Sequence, residues 1–244
     1  LFNRPLMAQY RPGSIFKIAQ AMTALQEGVI TPETRIRCDR TIINCHGAHS
    51  NEDLQGAIAN SCNPYFHGVL RRMLNKGKSN DPYEDTRIGL AEWNKHITSF
   101  GFGKPMGIDL PNEKGGLIPS PKYYDQAYRN RPWKFSNIYS IAIGEGENLV
   151  VPIQMANFAA TVANKGFYYT PHVVKSIGKD GLPLPQYRER HYTTIDSTYF
   201  RIAADAMQEV VESGTAQYRA RLQDVIVCGK TGTVENNPPL FDHS

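Results

Sequence analysis

No stretch of this 244-residue chain approaches the roughly 18 consecutive apolar residues that a membrane-spanning helix requires, so no span is expected within it. There is no internal repeat and no low-complexity tract, which excludes solenoids, collagen-like rods and disordered linkers. Cysteine is scarce, at four residues, far too few for a disulfide-dense mini-protein. Charge of one sign is also lacking: 27 Lys and Arg oppose 23 Asp and Glu, and a net +4 is too weak to indicate a nucleic-acid partner. The first residue is Leu1 and no basic, apolar and small-residue leader follows it, so an excised or processed segment is expected. What is present is ordinary globular material. Hydrophobic residues make up 41% and charged residues 20%, with 20 Gly and 16 Pro scattered, enough for one domain over residues 1–244.

Helical periodicity dominates. Ile15, Ile18, Met22 and Leu25 recur at helical spacing and Gly28 stops the run, which places Ser14 at a helix mouth. A short helix is predicted over 53–59, broken around Ser61-Cys62-Asn63-Pro64, with Pro64 at the first position of the next helix and Asn63 as its cap. Further helices are predicted at about 85–100, 152–165 and 196–213. Short strands are predicted at 137–143, at 168–177 and in the apolar run Asp224-Val225-Ile226-Val227-Cys228. The segment 102–136 is turn-rich, and its Tyr123, Tyr124, Tyr128 and Trp133 are expected to cover a core edge.

Three short strings carry candidate chemistry. Ser14 and Lys17 stand three apart at a helix start, and so share a face. A serine hydroxyl becomes a nucleophile when a base removes its proton, and an unprotonated lysine can be that base. The free N–H groups of a helix start also suit a developing oxyanion. Ser61-x-Asn63 lies in a loop between helices, and Lys230-Thr231-Gly232-Thr233 closes an apolar run. Each string alone is short enough to arise by chance. Their order, with spacings of 47 and 169 residues between Ser14, Ser61 and Lys230, matches the Ser-x-x-Lys, Ser-x-Asn and Lys-Thr-Gly set of penicillin-recognising serine enzymes.

Arg11-Pro12-Gly13-Ser14-Ile15-Phe16-Lys17 closely resembles the nucleophile motif of class B penicillin-binding proteins. Similar segments extend along the chain: Gly107-Ile108-Asp109-Leu110-Pro111-Asn112-Glu113, Ser140 to Gly146, Pro152 to Asn157, and Ala163-Asn164-Lys165-Gly166. Ser61-Cys62-Asn63-Pro64-Tyr65-Phe66 is most similar to the elongation-type penicillin-binding protein 2 group. The resemblance implies an α/β (α+β) transpeptidase fold, in which a helical subdomain accompanies helices packed on an antiparallel sheet. Relatives carry further strands and a helix beyond Lys-Thr-Gly, and strands and an anchor before the nucleophile, so a middle piece truncated at both ends is expected.

The resemblance also implies roles. Ser14 would be acylated by a D-Ala-D-Ala stem peptide, with Lys17 as base, favoured in its neutral form by burial and by nearby Lys230. Ser61 would carry a proton to the leaving group, Asn63 would hold substrate and Lys17, and Lys230, Thr231, Gly232 and Thr233 would receive the terminal carboxylate. Backbone N–H groups of Ser14 and Thr233 would form the oxyanion hole. Implied partners are peptidoglycan stem peptides, β-lactam antibiotics and a cell-elongation glycosyltransferase. The implied place is the periplasmic side of the inner membrane, reached through an anchor outside this chain. Two departures stand out: Glu145 where the family has Gln, and Val151 where it has Thr. A β-lactamase or a penicillin-sensor domain would share the three motifs, but the Glu-x-x-Leu-Asn string of rapid deacylation is absent.

No cofactor is implied, with one open exception. Cys38, Cys45, His46 and His49 fall within twelve residues and could ligate a structural zinc; a Cys38–Cys45 disulfide or free thiols are the alternatives. Cys62 and Cys228 read as packing residues.

Overall fold

The computed structural model describes residues 2–179, 181–182, 184–236 and 240–243. A short helix α1 (Arg4–Met7) leads to a 3-10 turn over Gly13–Phe16, which runs directly into α2 (Lys17–Gln26). Helix α2 is the axis of the molecule. Every residue from Lys17 to Leu25 is buried, the polar Lys17, Gln20 and Thr23 included, which is the burial expected of a helix surrounded on all sides. Gln20 resolves its own burial by bonding in two directions. Its Oε1 accepts from Trp93 Nε1 at 2.7 Å and its Nε2 donates to Ile141 O at 2.9 Å.

Around α2 stand α3 (Leu54–Ala59), α4 (Asn63–Leu74), α5 (Pro82–Ser99) and α9 (Ser197–Glu212). Carboxylate caps start three of them. Asp53 accepts from Gly56 N, Asp81 from Tyr83 N and Asp196 from Thr198 N, each supplying a partner for an otherwise unpaired first-turn donor. Helix α4 has Pro64 in its first turn, and Cys62, one residue earlier than the sequence suggested, holds the extended cap conformation. The core is knit by rings in edge-on or tilted contact. Phe16 meets Trp93 and Phe102, and Phe100 meets Phe158 of α8 (Pro152–Ala163) and Phe200 of α9. Tyr124, on α6 (Pro121–Ala127), and Trp133 are buried at the edge of this core, as expected of the aromatic cluster.

Strand structure among the described residues is confined to three two-stranded antiparallel pairs: β1 (Ile36–Arg37) with β2 (Asn51–Glu52), β3 (Phe167–Tyr169) with β4 (Arg190–Tyr192), and β5 (Thr233–Asn236) with β6 (Leu240–His243). The expected helices on an antiparallel sheet are thus helices packed with small antiparallel ribbons. Two predicted strands are absent. Residues 137–143 form the end of α7 (Phe135–Ile138) and a 3-10 turn over Tyr139–Ile143, because Ile138 and Ile141 bury at a spacing of three. The run at 224–228 begins in a bend and forms no strand, with no described strand beside it, and Val225 and Ile226 lie exposed. Without a partner for its N–H and C=O groups such a run cannot form a ladder.

Helix α5 passes the end of α4 so closely at Gly89 that a Cβ there would overlap the Leu74 backbone. Backbone cannot give way as a flexible side-chain tip can. Gly89→Ala is expected to lower stability by about 1–3 kcal/mol in urea unfolding; an unchanged midpoint would show that the helix pair can spread at no cost.

Candidate active site

The three strings meet along one cleft of about 840 Å³. Ser14, Ser61 and Asn63 line it together with Lys230, Thr231, Gly232 and Thr233, and Lys17 lies buried at its base. A 3-10 turn has three residues per turn, so Ser14 inside it and Lys17 at its end project from one face.

Glycine places the nucleophile loop. Gly13 has φ +56°, its N–H donates to Gly144 O at 2.9 Å, and a Cβ on it would overlap Thr233 O. Gly144, at φ +75°, in turn lies so close that a Cβ on it would overlap Gly13 O. Only residues without a side chain let these three backbones touch, and that contact sets Ser14 beside β5.

Lys17 Nζ donates to Asn63 Oδ1 at 2.6 Å, to Ser61 O at 2.8 Å and to Ser61 Oγ at 3.1 Å. All three N–H donors of an ammonium are thereby satisfied. Ser61 offers its carbonyl and its hydroxyl to one nitrogen by adopting φ +53°, a left-handed conformation that costs a non-glycine residue of order 1–2 kcal/mol. Burial brings Lys17 down to about 7, against the opposing pull of Cys45, Cys62 and the Glu145 carboxylate. Lys230 is also held well below its ordinary value, first by burial and then by repulsion from Lys17. Its Nζ donates to Thr231 O at 3.0 Å, and Thr231 Oγ1 lies 2.7 Å from Thr215 Oγ1. A neutral amine at Lys17 is therefore accessible near neutral pH, beside a serine hydroxyl that makes no hydrogen bond among the described residues.

The cysteine–histidine group assembles differently from the sequence expectation. Ligand atoms of Cys38, Cys45, His49 and Cys62 all lie within 4.8 Å of one another, and His46 is not among them; both histidines line the cleft. Cys62, read from the sequence as a packing residue, takes the fourth place because the break between α3 and α4 carries it back to the 38–49 loop. Its position 17 residues downstream hid it from any local spacing rule. Cys228, also read as packing, is exposed. Cys45 Sγ lies 3.5 Å from His49 Nε2, and its hydrogen bond with Cys62 draws the Cys45 thiol well below its ordinary value while pushing Cys62 up. Three thiols and an imidazole, one thiol already favouring the thiolate, are a donor set suited to a soft or borderline cation. The cluster touches the site directly, since Asn63 N donates to Cys45 Sγ at 3.4 Å and Asn63 Nδ2 to Asn44 O at 2.8 Å.

One cleft residue was singled out in the sequence only as a departure from a family pattern. Glu145 lines the cleft with Ser14, on the loop that Gly144 ties to Gly13.

The family model described as "Penicillin binding protein transpeptidase domain" matches residues 1–239. The peptidoglycan D,D-transpeptidase MrdA of Acinetobacter baumannii is 28% identical over 96% of this chain, which spans 34% of that protein's length. A chain of a peptidoglycan synthase complex, solved in a study of how polymerization and crosslinking are coordinated, superposes with a TM-score of 0.80 at 29% identity, over 97% of this chain and 38% of its own. Pseudomonas aeruginosa PBP2 in complex with WCK 5153 superposes with a TM-score of 0.78 at 27% identity, over 96% of this chain and 52% of its own. The chain belongs to the penicillin-binding protein transpeptidase domain family, in its class B branch, and is similar there to the MrdA and PBP2 proteins.

Proposed function

We propose that this chain is the catalytic part of a peptidoglycan D,D-transpeptidase. The observation that carries the reading is the buried Lys17, lowered to about 7 and held by Ser61 and Asn63 at the base of the cleft that Ser14 shares with Lys230-Thr231-Gly232-Thr233. Neutral Lys17 takes the proton of Ser14 as its Oγ attacks the penultimate carbonyl carbon of a stem peptide ending in D-Ala-D-Ala. Ser61 passes that proton to the departing nitrogen, D-alanine leaves, and an ester on Ser14 remains. An amine of a second stem peptide then attacks the ester; its proton returns to Ser14 Oγ through Lys17. Lys230, Thr231 and Thr233 hold the donor's terminal carboxylate, and Gly232 lets the extended peptide lie close to the backbone. Backbone N–H groups of Ser14 and Thr233 receive the oxyanion. A β-lactam enters the same path, but its ring nitrogen stays tethered after the amide opens, so the ester persists.

The resemblance supports a place on the periplasmic side of the inner membrane, beside a cell-elongation glycosyltransferase. No described helix is long and apolar enough to cross a membrane.

We assign a structural zinc to Cys38, Cys45, His49 and Cys62. Tetrahedral zinc with bonds of about 2.0–2.3 Å sets its ligand atoms roughly 3.5–4 Å apart, close to the spacing already present. A metal there supplies folding energy and no chemistry. What it holds is Cys62, and with it Ser61 and Asn63 on either side.

Intact-mass measurement after exposure to penicillin is expected to find a lasting adduct on this chain and none on Ser14→Ala. The adduct should form about tenfold faster for each pH unit gained below about 7 and level off above it, because the base acts deprotonated and the Lys17 ammonium prevails below that value. A rate independent of pH would remove Lys17 as base, and rapid drug turnover would make the chain a β-lactamase. Metal analysis should return about one zinc per chain, retained by His46→Ala and lost with Cys45→Ser, chelation lowering the melting temperature. A metal-free protein with a disulfide in this group would refute the assignment.

A further inference from the structure

The Lys-Thr-Gly string brings to the cleft a hydroxyl whose orientation the steps above leave open. A threonine hydroxyl has one hydrogen to give and two lone pairs to offer. Thr231 Oγ1 accepts from Lys230 Nζ at 3.4 Å and lies 2.7 Å from Thr215 Oγ1. The Lys230 contact is long for a hydrogen bond, so the short one to Thr215 decides where the Thr231 hydrogen points. Thr215 is itself held from behind. It lies in the turn that follows α9, in which Gly214 N donates to Glu209 O at 2.9 Å and Ala216 N to Val210 O at 3.0 Å. Its own N–H donates to Ala59 O at 3.1 Å, and Gly214 approaches so closely that a Cβ on it would overlap that same oxygen. Ala59 is the last residue of α3, two positions before Ser61. One turn thus ties the end of α3 to the Lys-Thr-Gly string, inside the cleft that Thr215 and Thr231 both line.

Two senses are open to this pair of hydroxyls. If Thr231 donates to Thr215, its hydrogen is used and it offers the cleft only a lone pair, which repels a carboxylate. If Thr215 donates, Thr231 Oγ1 accepts from both neighbours and its hydrogen is left for the cleft. An anion in the cleft selects the second sense, because a hydroxyl bonds a charged oxygen about twice as strongly as a neutral one.

We propose that Thr215 is a positioning residue for the donor strand: by donating to Thr231 Oγ1 it turns the Thr231 hydrogen towards the substrate's terminal carboxylate, so that the cleft prefers a donor with a free carboxylate over one whose carboxylate is masked. This rests on the transpeptidase reading, in which Thr231 holds that group. Thr215 acts through Thr231 and takes no part in making or breaking bonds. Its contribution is therefore to selection of the anion, and a ligand without the anion gains nothing from it.

The test is a ratio measured within each protein, so that any general loss of acylation cancels. Benzylpenicillin, which has a free carboxylate, and its methyl ester, which has none, are reacted with the parent chain and with Thr215→Val, Thr215→Ala and Thr215→Ser, and the rate of adduct formation is followed by intact mass. In Thr215→Val the acid-to-ester rate ratio is expected to fall about tenfold, the effect of weakening one charge-assisted hydrogen bond. Thr215→Ala, which also lacks the hydroxyl, should show the same fall, and Thr215→Ser, which keeps it, should retain most of the parent ratio. An unchanged ratio in Thr215→Val overturns the inference, even if both reagents react more slowly, since that pattern marks packing alone. An equal fall in Thr215→Ser, or a fall in only one of Thr215→Val and Thr215→Ala, would make shape the cause and overturn it as well. A ratio that rises would mean that Thr215 competes with the carboxylate for the Thr231 hydrogen, which is the opposite of the proposal. A Ser14 adduct on the parent with an unchanged ratio in the variants sinks this inference alone, whereas no adduct from either reagent sinks the transpeptidase reading and this inference with it.

Discussion

Burying one lysine head-group is the constraint on which the rest of the structure depends. An ammonium taken wholly out of water loses several kcal/mol of hydration even after the surroundings relax. Lys17 recovers part of it from three acceptors, two of them on Ser61 and one on Asn63. The balance settles near 7, where the amine and its ammonium are both populated. Fewer acceptors would leave the amine neutral and the site loosely held. A fixed carboxylate in direct contact would lock the ammonium and abolish the base. Carbonyl and hydroxyl oxygens lie between those extremes, so Glu145 can act on Lys17 through space while the three hydrogen bonds stay with neutral groups.

That arrangement has a structural cost, met in three places. Helix α2 is enclosed on every side, so Lys17 cannot reach solvent by swinging outward. Ser61 takes a left-handed conformation to turn both of its oxygens towards one nitrogen. Asn63 is braced from behind by Asn44 O and Cys45 Sγ. The tripeptide Ser61-Cys62-Asn63 thus faces two ways, its outer members contributing to the cleft and its middle member to the cysteine–histidine cluster. Strain at one residue persists only where its neighbours over-determine it, and the cluster supplies that over-determination.

How much of this was legible follows from how local each feature is. Ser14 and Lys17 could be paired from sequence because one turn of chain joins them, and the three strings could be brought together because their order is diagnostic. The helices were readable from periodicity, but the Asp81 cap of α5 was not, since it lies four residues before the start expected at about 85. The cluster was legible in part. Cys38, Cys45 and His49 lie in one loop, but the fourth member is chosen by where the α3–α4 break returns, and no spacing within the loop encodes that. His46, adjacent in sequence to Cys45, is left out of the cluster. The strands at 137–143 and 224–228 failed for a different reason. Apolar content marks burial or pairing without saying which, and at 137–143 a spacing of three decided for a 3-10 turn. At 224–228 the deciding quantity is a neighbouring strand, which lies outside the run itself.

Glu145 shows the same limit in the site. In the sequence it is a single carboxylate between two glycines, and its loop has no local signal for the cleft. Its placement depends on Gly144 touching Gly13, a contact across 131 positions that exists because neither residue has a side chain. The same contact sets Ser14 against Thr233. Nucleophile, β5 and carboxylate therefore form one rigid corner, opposite the Ser61–Asn63 corner that holds the base. A side chain at either glycine would separate the reacting serine from Thr233 and displace Glu145 in the same movement, while leaving Lys17 and its three acceptors where they are. Base and nucleophile are thus positioned by independent devices, hydrogen bonds to a strained turn for one and bare backbone contact for the other, and they meet only through the single 3-10 turn between Ser14 and Lys17.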